Sequence, residues 1–155
     1  MRHFFSVLMA GLALAGCGDS AGPSDLVPEE LAGVWLAAPD CLPECGFTLL
    51  RISNPADSVN FVSGLQQSFQ MTLTTSGRFG LTGLGGATTI RGRVEAEGSM
   101  LILSDEAGTQ DTADYVLQGE YLGLTFRGVA DQFDFDGDGV GDPAMVKARF
   151  RREEE

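Results

Sequence analysis

Apolar and polar residues alternate one for one through the middle of this chain. Phe69, Met71 and Leu73 interleave with Gln70, Thr72 and Thr74, and Ile90, Gly92 and Val94 with Arg91, Arg93 and Glu95. Further on, Leu122, Leu124 and Phe126 interleave with Tyr121, Gly123, Thr125 and Arg127, and Val146, Ala148 and Phe150 with Met145, Lys147 and Arg149. A period of two marks strands with one buried and one wet face; no segment carries a helical stripe. Turn residues punctuate the pattern at Ser76-Gly77, Glu97-Gly98-Ser99, Gln118-Gly119-Glu120 and Asp138-Gly139. One hairpin unit is echoed: Gly98-Ser-Met-Leu101-Ile-Leu103-Ser recurs as Gly119-Glu-Tyr-Leu122-Gly-Leu124-Thr. Short strands at this spacing, with 21 glycines in the chain, predict an all-β antiparallel meander that closes as a barrel or, alternatively, packs as a β-sandwich. Eight strands enclose an interior that side chains just fill, or that holds one small molecule. Phe61, Phe69, Phe79, Leu101, Phe126 and Phe150 are large enough to fill it, and the sequence leaves both outcomes open.

The pattern is different at the start. Arg2 and His3 precede an apolar run over residues 4–15, which ends in Ala15-Gly16 before Cys17. A positive charge, a short apolar run and small residues at a cut site form a secretory leader, here residues 1–16. The run is shorter than the about 20 residues of a membrane span. With Cys at the cut, Leu14-Ala15-Gly16-Cys17 resembles the junction of bacterial lipoprotein precursors. That resemblance implies a thioether-linked lipid on Cys17, a membrane anchored through it, and a place in the cell envelope, with Gly18 pointing to the outer membrane. Residues 17–30 are rich in Gly, Ser, Pro and acids and read as the lipidated Cys followed by a flexible tether. Residues 31–152 read as the folded domain, and residues 153–155 as an acidic tail.

Composition narrows the chemistry. Ten Lys and Arg face 22 Asp and Glu, a net charge of −12. That balance argues against nucleic acid, whose phosphates demand cations, and against a polybasic membrane contact. The single histidine, His3, falls in the leader, so triads, His-ligated zinc and His bases are excluded from the mature chain. Cys41 and Cys45 lack further thiolate or imidazole partners for a metal; in an oxidising envelope they read as a local disulfide.

Leu31-Ala-Gly33-Val-Trp35 resembles the Gly-x-Trp that opens the first strand of lipocalin and lipocalin-like barrels, including those of small envelope lipoproteins. The hairpin echo and the basic last strand extend that likeness over residues 31–152; Arg93, where such proteins repeat a Gly-x-Trp, departs from it. The resemblance implies a lipocalin-like barrel whose closed end is plugged by Trp35, with Arg149 or Arg151 stacked on the indole.

The sharpest local motif is Asp134-Phe-Asp136-Gly-Asp138-Gly139-Val140-Gly-Asp142. Acids at positions 1, 3, 5 and 9 with Gly at 6 match the first part of a calcium loop, and the Val140 carbonyl supplies a further oxygen. Met145 stands where an EF-hand has its bidentate Glu, and apolar alternation on both flanks denies the loop helices. This resembles the calcium loops of extracellular β modules, with affinity in the range of about 10⁻⁴–10⁻³ M. The competing reading is a metal-free Asp-Gly turn.

Three functions compete. One is a non-enzymatic, lipid-anchored binding domain for a small apolar ligand or an envelope protein partner. The second is a calcium-stabilised structural or surface module without a cavity. The third is a carboxylate-based enzyme, for which no acid pair can be named. An apolar void of about 300 Å³ or more separates the first from the second.

Overall fold

The computed structural model describes residues 26–83, 88–128 and 130–153 of the chain. Eleven strands run antiparallel through it: β1 (Gly33–Ala37), β2 (Gly46–Arg51), β3 (Ser58–Asn60), β4 (Phe69–Leu73), β5 (Arg78–Gly83), β6 (Thr88–Glu97), β7 (Met100–Asp105), β8 (Gln110–Gln118), β9 (Tyr121–Phe126), β10 (Ala130–Phe133) and β11 (Asp142–Arg152). One short helix, α1 (Phe61–Leu65), lies between β3 and β4. Hydrogen bonding follows the order β1–β4–β5–β6–β7–β8–β9–β11, and β11 pairs back onto β1. The result is a closed barrel of eight strands, the first of the two expected architectures.

The alternation explains the barrel directly. Phe69, Met71, Leu73, Val94, Leu101, Leu103, Leu122, Leu124, Ala148 and Phe150 are all buried, and their neighbours in sequence face out. The echoed hairpins each deliver their two leucines to the core after a glycine of positive φ, Gly98 (59°) and Gly119 (60°). Ile90 is the exception: it has inward parity yet is 43% exposed. Its part of β6 rises above the last residue of β7, since Gly92 already pairs with the final Asp105.

β1 and β2 are two halves of one strand along β11. Trp35 pairs with Arg152 and Gly46 with Arg149, so a step of three residues along β11 matches a step of eleven from β1 to β2. The surplus, residues 38–45, is looped out as a 3-10 turn (Pro39–Cys41) followed by the Cys41–Cys45 disulfide. The bridge predicted from the two cysteines is present, and it closes the base of this excursion.

Two observations add to the sequence reading of the folded segment. Packing extends to residues before Leu31: Val27 and Leu31 are fully buried, and Leu26 and Val27 donate to the Thr75 carbonyl. Val27, which falls in the segment expected as tether, packs into the apolar core. The chain is also not free of helix. Asn60 accepts from the amides of Val62 and Ser63 and starts α1, and Gln66, in the left-handed region at φ 54°, ends it. Five residues are too few to show a period of 3.6.

Candidate functional site

Both ends of the barrel are covered by side chains. At one end the segment from Val27 to Leu31 crosses beneath the strands, and Trp35 donates its indole N–H to the Leu31 carbonyl at 2.9 Å. The guanidinium of Arg152 lies 4.2 Å from the indole centroid and donates to the carbonyls of Ala32 (2.8 Å) and Glu30. Gly33 has to be glycine here: its φ is +141°, and a Cβ would meet the Arg152 guanidinium at 2.8 Å. The arginine on the plug is thus Arg152, not Arg149 or Arg151 as expected. Parity is the reason. Arg152 shares the inward face of Phe150, whereas Arg149 and Arg151 face out, onto the Tyr121 ring and Asp40 respectively.

At the other end α1 lays Phe61 across the mouth. Phe47 and Phe69 stack at 4.4 Å between centroids, and Phe61 meets each edge-on at 6.3 Å. Phe61 also touches Phe133 at 6.4 Å, and Phe133 touches Phe135 at 4.9 Å. Phe135 belongs to the acidic loop, so the aromatic lid and the loop are one packed unit.

Within the loop, Asp134 accepts backbone N–H groups from Gly137 (2.6 Å), Asp138 (3.1 Å) and Gly139 (2.9 Å). These bonds, the one from Gly139 foremost, hold its carboxyl below the usual range. Carboxylate oxygens of Asp134, Asp136 and Asp138 lie within 4.8 Å of one another. That is at most about twice a calcium–oxygen distance, so one oxygen from each can reach a shared cation. Asp138 also accepts from Val140 N–H at 2.7 Å.

Asp142 stands apart from this trio. Its Oδ1 takes the Arg51 guanidinium at 2.6 Å, and the same nitrogen reaches Asp136 at 2.9 Å. Asp57 adds a third, longer contact at 3.4 Å. Of the five residues predicted as ligands, three side chains converge, and Asp142 is engaged by a fixed cation instead. Bonding to Asp142 and Asp136 raises the pKa of Arg51 further above its ordinary value. Arg51 was not found from sequence. It lies far from the loop along the chain and arrives only because Arg51 pairs with Ala144 across β2 and β11.

No polar or charged residue is buried among the described residues, so the barrel core holds no acid or base. The surface grooves, of about 290–460 Å³, lie on the outer faces and rims. One of them, on the β9–β11–β2 face, is lined by Thr48, Thr125, Lys147 and Arg149. Cys17 and the leader lie outside the described residues. No known protein family, curated protein or solved structure matches the chain.

Proposed function

We propose that this protein is a non-enzymatic, lipid-anchored module of a bacterial cell envelope, held at the outer membrane through Cys17. Its barrel acts as a rigid body that presents its outer surface to an envelope protein partner, with calcium in the acidic loop as a stabiliser. The observation that carries this reading over a small-molecule carrier is the filled interior: Trp35, Phe150, Met71, Leu73, Leu101, Leu122 and Leu124 are each almost completely buried within it. Packed side chains at native density leave an apolar guest no room without repacking. The convergence of Asp134, Asp136 and Asp138 supports a cation in the loop, and the Asp spacing with Gly139 at its sixth position is what favours calcium.

Native mass spectrometry of the protein purified from its own host tests the reading. The expected species carries a lipid on Cys17, a calcium ion when calcium is supplied, and no other small molecule. A stoichiometric apolar ligand would reverse the choice. An unmodified Cys17 would remove the anchor.

A further inference from the structure

The registers of β8, β9, β11 and β2 leave a trench across their outer face. Val116 pairs with Gly123, Gly123 with Arg149 and Arg149 with Gly46, so two of the four positions in this row have no side chain. Arg149 vacates its own place too, because its guanidinium lies 4.8 Å from the Tyr121 centroid. The next row is complete: Asp114, Thr125, Lys147, Thr48 and Asn60. A groove of about 400 Å³ results, with Pro43 and Glu44 of the excursion also lining it. The fold does not require glycine at position 123. Its φ is outside the left-handed region, and a Cβ there would meet only the Val116 carbonyl oxygen, at an ordinary 3.7 Å. Glycine weakens a strand interior and marks a bulge, a bend or the close approach of another backbone or ligand. Pairing on both sides of Gly123 is without a bulge, so close approach is what it serves.

The polar groups left free in the trench are mostly donors. Asp114 accepts from Arg127 with both oxygens, and Asn60 Oδ1 accepts from the amides of Val62 and Ser63. Lys147 makes no hydrogen bond or ion pair among the described residues, and stacking on Tyr121 leaves the in-plane N–H groups of Arg149 available. The Asn60 Nδ2 lies over Gly46. Glu44, exposed on the excursion, is the opposing charge. Lys147, Arg149 and the Arg127 that holds Asp114 therefore face two acids, Asp114 and Glu44, a surplus of one cation. Val116, 56% exposed, adds an apolar contact at the β8 side. We infer that the envelope partner docks here, through an extended segment that lays an Asp or Glu side chain between Lys147 and Arg149 and a small apolar side chain against Val116. The inference rests on the reading of the barrel as a module that presents its outer surface to a protein partner. Lys147 and Arg149 stand about 7 Å apart along β11, and a carboxylate is the complement of their free donors and of the single surplus charge. The segment's backbone passes over Gly123, in the room that a side chain would take.

Zero-length coupling with a carbodiimide tests this on the full chain in envelopes of its own host. The reagent joins an amine only to a carboxylate in contact with it, and Lys147 is the only lysine of the chain. The expected product is an isopeptide bond from Lys147 to an Asp or Glu side chain of one other envelope protein, read by mass spectrometry of the linked peptides. Gly123→Val fills the trench where space is free and should cut that product at least about tenfold while the melting temperature holds. If the variant melts lower, Glu44→Gln decides instead: removing the opposing acid must raise the yield, and an unchanged or lower yield overturns the inference. A product joining Lys147 only to Glu44 or Asp114 of its own chain overturns it as well, as does a foreign product that survives Gly123→Val at full yield in a stably folded variant. A photo-reactive residue replacing Val140 on the acidic loop or Thr72 on β4 separates this inference from the reading beneath it. Capture of a partner at either position with no foreign product from Lys147 removes the trench alone. No capture at any of the three positions removes the partner reading with it.

Discussion

Arg152 and Arg149 are three residues apart on one strand and have different jobs, which makes them a clean test of parity. Arg152 covers the Trp35 indole and donates to the Ala32 carbonyl; Arg149 lies over Tyr121 on the outside. Cation–π contact and the lost hydrogen bonds together predict that Arg152→Ala costs about 1–3 kcal/mol. Arg149→Ala should stay within about 0.5 kcal/mol. Denaturant melts followed through Trp35 emission measure both, and equal costs would show that the inward face of β11 ends at Phe150. Alternation had put Arg149 on the wet face already; only the last step, to Arg152, needed the end of the barrel to be located. The Asp114–Arg127 pair, with contacts of 2.9 and 2.5 Å, gives a pH prediction. Arg127 holds the Asp114 carboxyl below its usual value. A depressed carboxylate contributes above its unfolded pKa, near about 3.9, and the contribution disappears as pH falls through the folded value. Carboxyl carbon shifts should show Asp114 titrating below the usual aspartate value, and Arg127→Gln should raise it toward that value. Both side chains are exposed, so the melting temperature should hardly respond.

Strands impose tighter limits than single side chains. Where β6 crosses from β5 to β7, a Cβ on Gly92 would stand 2.0 Å from the Ser104 carbonyl oxygen and 2.8 Å from the Asp105 Cα. These are backbone atoms, so Gly92→Ala must push two paired strands apart. We expect a loss of about 3 kcal/mol or more, against a small effect for the open Gly80→Ala; thermal melts of the two variants decide it. The β1–β2 excursion behaves differently. Its disulfide closes a loop of four residues' separation, for which chain entropy gives about 2 kcal/mol. Cys41→Ser with Cys45→Ser should thus lower stability by about 2 kcal/mol or less and keep the β1–β11 and β2–β11 registers, as amide exchange would report. Strands with uninterrupted alternation could be placed from sequence, and so could the cysteine pair. The eight-residue excursion could not, because pairing registers belong to two strands at once. β3 and α1 are too short to carry a period, and the burial of Val27 depends on an apolar site that exists only once the barrel is closed.

On the scale of the whole molecule, the acidic loop is where distant parts of the chain meet. Phe135 ties it to the Phe61 lid, Asp142 opens β11, and Arg51 brings in β2. The four acids were legible as a motif because their spacing is local. The guanidinium that answers two of them was not, being placed by the β2–β11 register. Arg51 and a calcium ion would compete for one carboxylate, Asp136: the guanidinium neutralises Asp136 and Asp142, and an ion would draw on Asp134, Asp136 and Asp138. Binding to the folded state alone stabilises by RT ln(1 + [Ca]/Kd). With affinity in the weak extracellular range, millimolar calcium should add about 1 kcal/mol, or a few degrees in melting temperature. Asp136→Asn with Asp138→Asn should abolish that response and preserve the fold. Arg51→Gln separates the two cations. Without calcium it should melt below the wild type, since Asp136 and Asp142 lose their counter-charge. With calcium it should gain more than the wild type does, because Asp136 is then free to swing fully onto the ion. Calcium and magnesium titrations of the three proteins, followed by melting temperature, give the answer. A wild-type response to calcium no larger than to magnesium makes the loop a metal-free turn, and a smaller calcium gain in Arg51→Gln makes Arg51 a support of the ion site instead of its rival.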